Sequence, residues 1–170
     1  MARPEQTDPL PYRDTKPIGA ADFYFAINAT FRFVLGEKGI EGLRRYWSEL
    51  GASYYRPVSR AWKERGLSGV AAYWRAFLAA EPGAEGKVHQ VEDRVEVEIR
   101  VCPAIKHLRG AGRKIVPCFC QHCFYQGEAM AARADMAYRL RGGDGTCRHT
   151  IHRDRDEIAP QDLSEIRKTS

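Results

Sequence analysis

The sequence has no uninterrupted apolar run long enough to cross a bilayer, and its first residues, 1–17, are polar and proline-rich with no apolar stretch of the secretory kind. An exported or membrane-anchored protein is therefore not expected, and a cytoplasmic one is. Charge of one sign is also scarce. The formal charge of +5 comes from 27 basic and 22 acidic residues scattered along the chain, with no basic stripe carrying interleaved aromatics. Nucleic acid is thus not an expected partner, whereas a small acidic molecule is compatible. Internal repeats and low-complexity blocks are missing. So is the pairing of two C-x2-C motifs that marks a strong zinc site. An even cysteine count is missing too: there are five, and without a leader they are expected to be reduced.

What is present is an ordinary globular composition, 44% apolar and 29% charged over 170 residues, enough to bury a core without staples. Residues 1–17 hold Pro4, Pro9, Pro11 and Pro17 among charges and predict a flexible arm, with wrapping of a partner subunit in a homodimer as the alternative use. Phe23, Ile27, Phe31 and Val34 recur at helical spacing over 20–35, with Gly36 placed to end that helix. Ile40, Leu43, Trp47 and Leu50 repeat the pattern from Gly39. Gly51 and Pro57 interrupt it, Val58 and Trp62 carry it on to Gly66, and Ser68 caps a further helix through Val70, Trp74 and Phe77. All three tryptophans lie in this helical half, where helical spacing makes them core residues first.

The period then changes. In 95–101 every second residue, Val95, Val97, Ile99 and Val101, is apolar between charges, which predicts a half-buried antiparallel strand. Cys102 ends it as the N-cap of a helix that Pro103 begins and Gly110 closes. Pro117 leads into a helix expected over 118–132. Two alternating runs, 134–141 and 147–152, flank Gly142-Gly143-Asp144-Gly145-Thr146 and predict a hairpin with Asp144 as a turn former. Residues 154–170 read as a charged tail that frays, with a short helix near Pro160. The expected organisation is an arm at 1–17, a single α+β domain at 18–153 and the tail. In that domain the helical N-terminal half packs on a small antiparallel sheet that ends in the hairpin.

The chemistry concentrates at 116–125, V-P-C-F-C-Q-H-C-F-Y, which holds Cys118, Cys120, Cys123 and His122. Cys102 at one helix start, and Cys118 and Cys120 in the first turn of another, face backbone N–H groups and the positive end of a helix dipole, so ionised thiols are expected there. Cys118, Cys120 and Cys123 are candidate ligands for zinc or an iron–sulfur cluster. On a helix, however, Cys120 with Cys123 and Cys118 with His122 point in different directions, so Cys102 or Cys147 would be needed as well. The other use of these residues is covalent catalysis, with cysteine as nucleophile and histidine as base. His122 does not face Cys120 on a helix, so His149 or His107 could equally be the partner. For His89 and His152 the expected role is structural. Arg100, Lys106, Arg109 and Arg113 are candidates for holding a substrate carboxylate.

Val101-Cys102-Pro103, Phe119-Cys120 and Gly143-Asp144-Gly145-Thr146-Cys147 together resemble the L-2-amino-thiazoline-4-carboxylic acid hydrolase family over about 95–151. The resemblance implies that Cys102, Cys120 and Cys147 occupy the recurring cysteine positions. It also implies a fold similar to small-molecule-binding domains of the 4-vinyl-reductase and nitric-oxide-sensor type. The chain departs from the pattern at His122, Cys123 and His149, and Cys118 and Cys123 are additions. The function expected is a hydrolase of a small C–N bond substrate, a cyclic amidine or amide. Its site would use Cys102 or Cys120 as nucleophile, His122 as proton carrier and Cys147 as a wall. The alternative is a non-catalytic small-molecule or metal sensor.

Overall fold

The computed structural model describes residues 22–170, so the expected arm at 1–17 lies outside the described residues. Helix α1 runs Phe23–Glu49 and buries Phe31, Leu43 and Trp47. Gly36 does not end it. The break falls at Gly39, whose φ of 64° and ψ of −174° are open to a residue without Cβ, and the chain resumes helix at once in a new direction. A single π turn, Leu50–Tyr54, joins it to α2, Arg56–Ala80, which is broken in the same way at Gly66. Leu67, Val70 and Ala71 on the second half of α2 are buried, as is Trp62 on the first.

Four strands follow. Strand β1, Glu85–Gln90, pairs antiparallel with β2, Arg94–Val101. After α3, Pro103–Gly110, and α4, Gln121–Ala132, the chain returns as the hairpin β3, Ala137–Gly143, and β4, Thr146–His152. The sheet order is β1-β2-β4-β3, antiparallel throughout, because β4 inserts beside β2. The fold class is thus α+β, with the long helices N-terminal and the hairpin C-terminal. Helix α2 covers β1 and β2, α4 covers β3, and α1 packs outside α4, so the helices lie on one face of the sheet. On that face Val95, Val97, Leu140 and Ile151 are buried, as alternation requires. Each such side chain contributes about 1.5–3 kcal/mol by leaving water.

Several expectations shift. Strand β1 went unseen because Val88 is its lone apolar side chain of any size. The helix expected over 118–132 begins three residues later. Phe119 N–H to Val116 O and Gln121 N–H to Cys118 O, both 2.9 Å, close two tight turns first. Cys120 is therefore the residue before the helix and Cys118 lies outside it. The hairpin turn is the two-residue Asp144-Gly145, with φ of 57° and 107°, and Gly142 and Gly143 belong to β3. The charged tail does not fray. A 3-10 turn at Leu163–Glu165 leads to Ile166, which is buried and bridges Gly142, while Arg167 N–H donates to Gly142 O at 2.8 Å and Thr169 N–H to Pro117 O at 2.8 Å. No helix among the described residues is long and apolar enough to cross a membrane.

One close approach sets the spacing of helix and sheet. At Gly127 on α4 an added Cβ would stand 2.4 Å from Cζ of Tyr138, so the tyrosine ring occupies the space that any other residue would need. Gly127→Ala should lower stability by about 1–3 kcal/mol through overpacking, as read from the urea midpoint. Undiminished stability would mean that the ring does not lie against this helix.

Candidate functional site

Four of the five thiols meet where the helices cover the sheet. Cys102 caps α3 at the end of β2, Cys120 precedes α4, Cys123 lies in its first turn, and Cys147 projects from β4. Negative charge on Cys102, Cys120 or Cys147 would each oppose ionisation of Cys123, which places the four within Coulomb range of one another. Charge on Cys102 and Cys120 likewise opposes that of Cys147. Cys102 N–H donates to Gly145 O at 2.9 Å and Cys120 Sγ accepts Asp144 N–H at 3.2 Å, so both lie at the hairpin tip from which Cys147 projects. Cys118 stands apart, and the one charged group acting on it is Arg44.

Cys102 and Cys118 are not ionised in the way the helix starts suggested. Burial pushes Cys102 up despite the N–H groups of Ile105 and Ala104, which act in the opposite direction. Burial also raises Cys118, and raises Cys123 and Cys147 further. A helix N-terminus contributes about 0.3–1 kcal/mol to an anion, whereas removing a charge from water costs several kcal/mol, so burial decides the direction. Cys120, 9% exposed, accepts a hydrogen bond from Asp144 N–H at 3.2 Å and contacts the Thr169 hydroxyl at 3.8 Å.

The histidines divide differently from the expectation. His122 does not serve Cys120. Its Nδ1 donates to Phe119 O, its Nε2 lies 3.4 Å from Cys123 Sγ, and its ring is packed against Phe31 and Phe119 at 5.3 and 4.8 Å between centroids. His149 is the residue that meets Cys147. It is 3% exposed, its Nε2 lies 3.2 Å from Cys147 Sγ, and its Nδ1 is hydrogen-bonded to the Tyr138 hydroxyl. Cys147 and His149 share a face of β4 because they are two residues apart. Trp74 of α2 covers the imidazole at 4.7 Å between centroids, and its indole N–H is buried with no partner among the described residues.

Further residues at this site were not singled out from the sequence. Tyr24 of α1 donates to Glu81 just after α2, and its phenol is pushed up by burial first and by Glu81 second, with Cys102 and Cys123 adding to it. Tyr73 of α2 is raised by burial and then by Tyr55 and Glu81. Their helical spacing was visible, but it marks a core face without saying that the core is polar. His107 is turned aside, with Nε2 2.8 Å from Pro82 O and its ring stacked on Tyr24.

The arginines expected to hold a carboxylate are elsewhere. Arg100 is exposed on the sheet face that the helices leave open, as alternation with Ile99 requires. Arg109 is paired with Asp144 and donates to the Ser170 hydroxyl at 3.1 Å. Arg113 lies 4.9 Å from the centre of the Phe25 ring, and Lys106 beside Gly83. Among the described residues no three His, Cys, Asp or Glu side chains are arranged to hold a metal ion, so Cys118, Cys120 and Cys123 do not form a ligand set.

Burial lowers His122 from 6.5 to about 4 and His149 from 6.5 to about 3. In the unfolded chain both take a proton near pH 6.5, but in the folded chain only near pH 4 and 3. Protons added between pH 6.5 and 4 therefore bind the unfolded chain preferentially, and stability falls there by about 1.4 kcal/mol per pH unit for each histidine. Above pH 7 the contribution is complete. Urea midpoints measured from pH 7 to 4 should fall steeply, and His149→Gln should reduce that slope. An unchanged slope would show that His149 is not held uncharged.

Comparison with protein-family profiles, with curated proteins and with solved structures finds no match to this chain.

Proposed function

We propose that the protein is a cytoplasmic hydrolase-like enzyme that opens a C–N bond of a small cyclic amidine or amide at the thiol cluster, as its resemblance to the L-2-amino-thiazoline-4-carboxylic acid hydrolase family implies. Cys147 is the nucleophile and His149 the base. The observation that carries this assignment is the 3.2 Å contact of Cys147 Sγ with His149 Nε2, backed by Tyr138 on Nδ1. Cys102 and Cys120, the nucleophiles the sequence favoured, have no histidine bonded to them among the described residues.

The pair works from its neutral form. With the thiol raised and the imidazole lowered, Cys147 keeps its proton and His149 is free to take it at neutral pH. Attack forms the S–C bond as the thiol proton passes to Nε2. The C–N bond then breaks, and the leaving nitrogen takes that proton from His149. Water, deprotonated by His149, cleaves the acyl-sulfur bond, and the proton returns to Cys147. Tyr138 holds Nδ1 throughout and fixes the ring plane. Trp74 packs on the same imidazole and has a buried indole N–H without a partner among the described residues, a donor suited to a carbonyl or imine developing negative charge.

A second reading draws on the raised thiols of Cys102, Cys123 and Cys147, which favour a domain that binds its small molecule without turning it over. Turnover separates the two. With L-2-amino-thiazoline-4-carboxylic acid and related cyclic amidines as probes, Cys147→Ser and His149→Gln should each lower kcat by about 10²-fold or more, while Cys118→Ser leaves it unchanged. Full activity in Cys147→Ser would remove the nucleophile assignment. Saturable binding with no turnover in the parent protein would select the binding domain.

A further inference from the structure

The open face of the sheet carries a cleft of about 490 Å³, bounded by 158–162 and Glu165 alongside β3. That volume lies within the usual range for small-molecule pockets, about 300–1,000 Å³. Its floor includes Arg148, Thr150 and His152, the outward residues of β4. Alternate residues of a strand are about 7 Å apart, so the three form a line of polar groups along the cleft.

The other charges in the lining are engaged. Arg94 pairs with Glu96 at 2.7 Å, and Arg141 with Glu165 at 3.1 Å. Arg139 is held by Glu128 and by the carbonyl oxygens of Tyr138, Ile158 and Ala159. Asp162 accepts Ser164 N–H at 2.8 Å. Among the described residues Arg148, Thr150 and His152 make no side-chain hydrogen bond or ion pair. Glu98 neighbours Arg148 on β2 but forms no ion pair with it, and on the other side Arg148 stands directly across from Arg141. Like charges so placed repel, and a guanidinium offers only donors. An anion of more than one charge would answer both.

We propose that this cleft binds a small phosphorylated molecule, its phosphate anchored by Arg148 beside Arg141 and its body lying along Thr150 and His152. The site lies on the opposite face of the sheet from His149 and stands or falls independently of the proposed hydrolysis.

The test is calorimetric titration of the whole protein with inorganic phosphate and with adenosine 5′-monophosphate, and with succinate as a carboxylate control. Both phosphate probes should bind saturably, more weakly at high salt, and the nucleotide more tightly than phosphate. Arg148→Gln should weaken both by about tenfold or more, the loss of a charge-assisted contact. Thr150→Val should weaken the nucleotide more than inorganic phosphate, and Cys147→Ser should bind both as the parent does. Arg148 is exposed, so its replacement should leave the urea midpoint unchanged. No saturable phosphate binding, equal binding by Arg148→Gln, or succinate binding as tightly as phosphate would overturn the proposal.

Discussion

The constraint on which the rest depends is desolvation of a polar cluster at the junction of helices and sheet. Thiols, imidazoles and phenols have been carried into a place lined by Trp74, Val97, Leu140 and Ile151, where an unpartnered polar group costs about 1–3 kcal/mol and a charged one much more. Two responses are visible. The groups bond one another, as Tyr138 with His149 and His149 with Cys147. They also stay neutral, as the lowered imidazoles and raised thiols record. Packing and protonation state are here two expressions of one requirement.

That requirement also reverses the ordinary view of a cysteine at a helix start. Exposed at the surface, Cys102 would gain from the amides of Ala104 and Ile105, but in this setting they only soften the effect of burial. A thiol so placed is a poor standing nucleophile. In the proposed reaction it would hand its proton to a base during attack, which favours Cys147, 3.2 Å from His149 Nε2, over Cys102 and Cys120. Tyr138 can reach that histidine because Gly127 leaves room for its ring. The absence of one methyl group on α4 thus shapes chemistry on β4.

Much of the fold was legible because its signals are periodic. Alternation at Val95, Val97 and Ile99 placed β2, and the glycine-rich stretch 142–146 between alternating runs placed the hairpin. Strand β1 carries almost no apolar alternation and is held by pairing with β2, a tertiary cause that no local pattern reveals. The gathering of Cys102, Cys120 and Cys147 was also foreseeable, but the choice among them was not. Cys147, His149 and Ile151 alternate, and that spacing already put His149 beside Cys147, whereas its bond to Tyr138 depends on the pairing of β3 with β4. The density of thiols at 116–125 is the stronger local signal, yet His122 there belongs to an aromatic cluster. The tail was misjudged because Ile166 and Thr169 sit among charges, and isolated anchors leave no period.

Strand β4 shows how closely the two faces are bound together. Cys147, His149 and Ile151 face the helices while Arg148, Thr150 and His152 face the open cleft, so a shift of register by one residue would exchange the sets and bury an arginine. Register therefore has to be fixed at the turn. Asp144 and Gly145 adopt the left-handed conformations that a two-residue hairpin needs, and Asp144 is bound to Arg109 of α3. Gly145 O accepts Cys102 N–H at 2.9 Å, and Asp144 N–H reaches Cys120. The hairpin tip is thus tied to the starts of both short helices, and those ties carry Cys102 and Cys120. Cys102 through its backbone N–H and Cys120 through its Sγ thus help to hold in register the strand that carries Cys147.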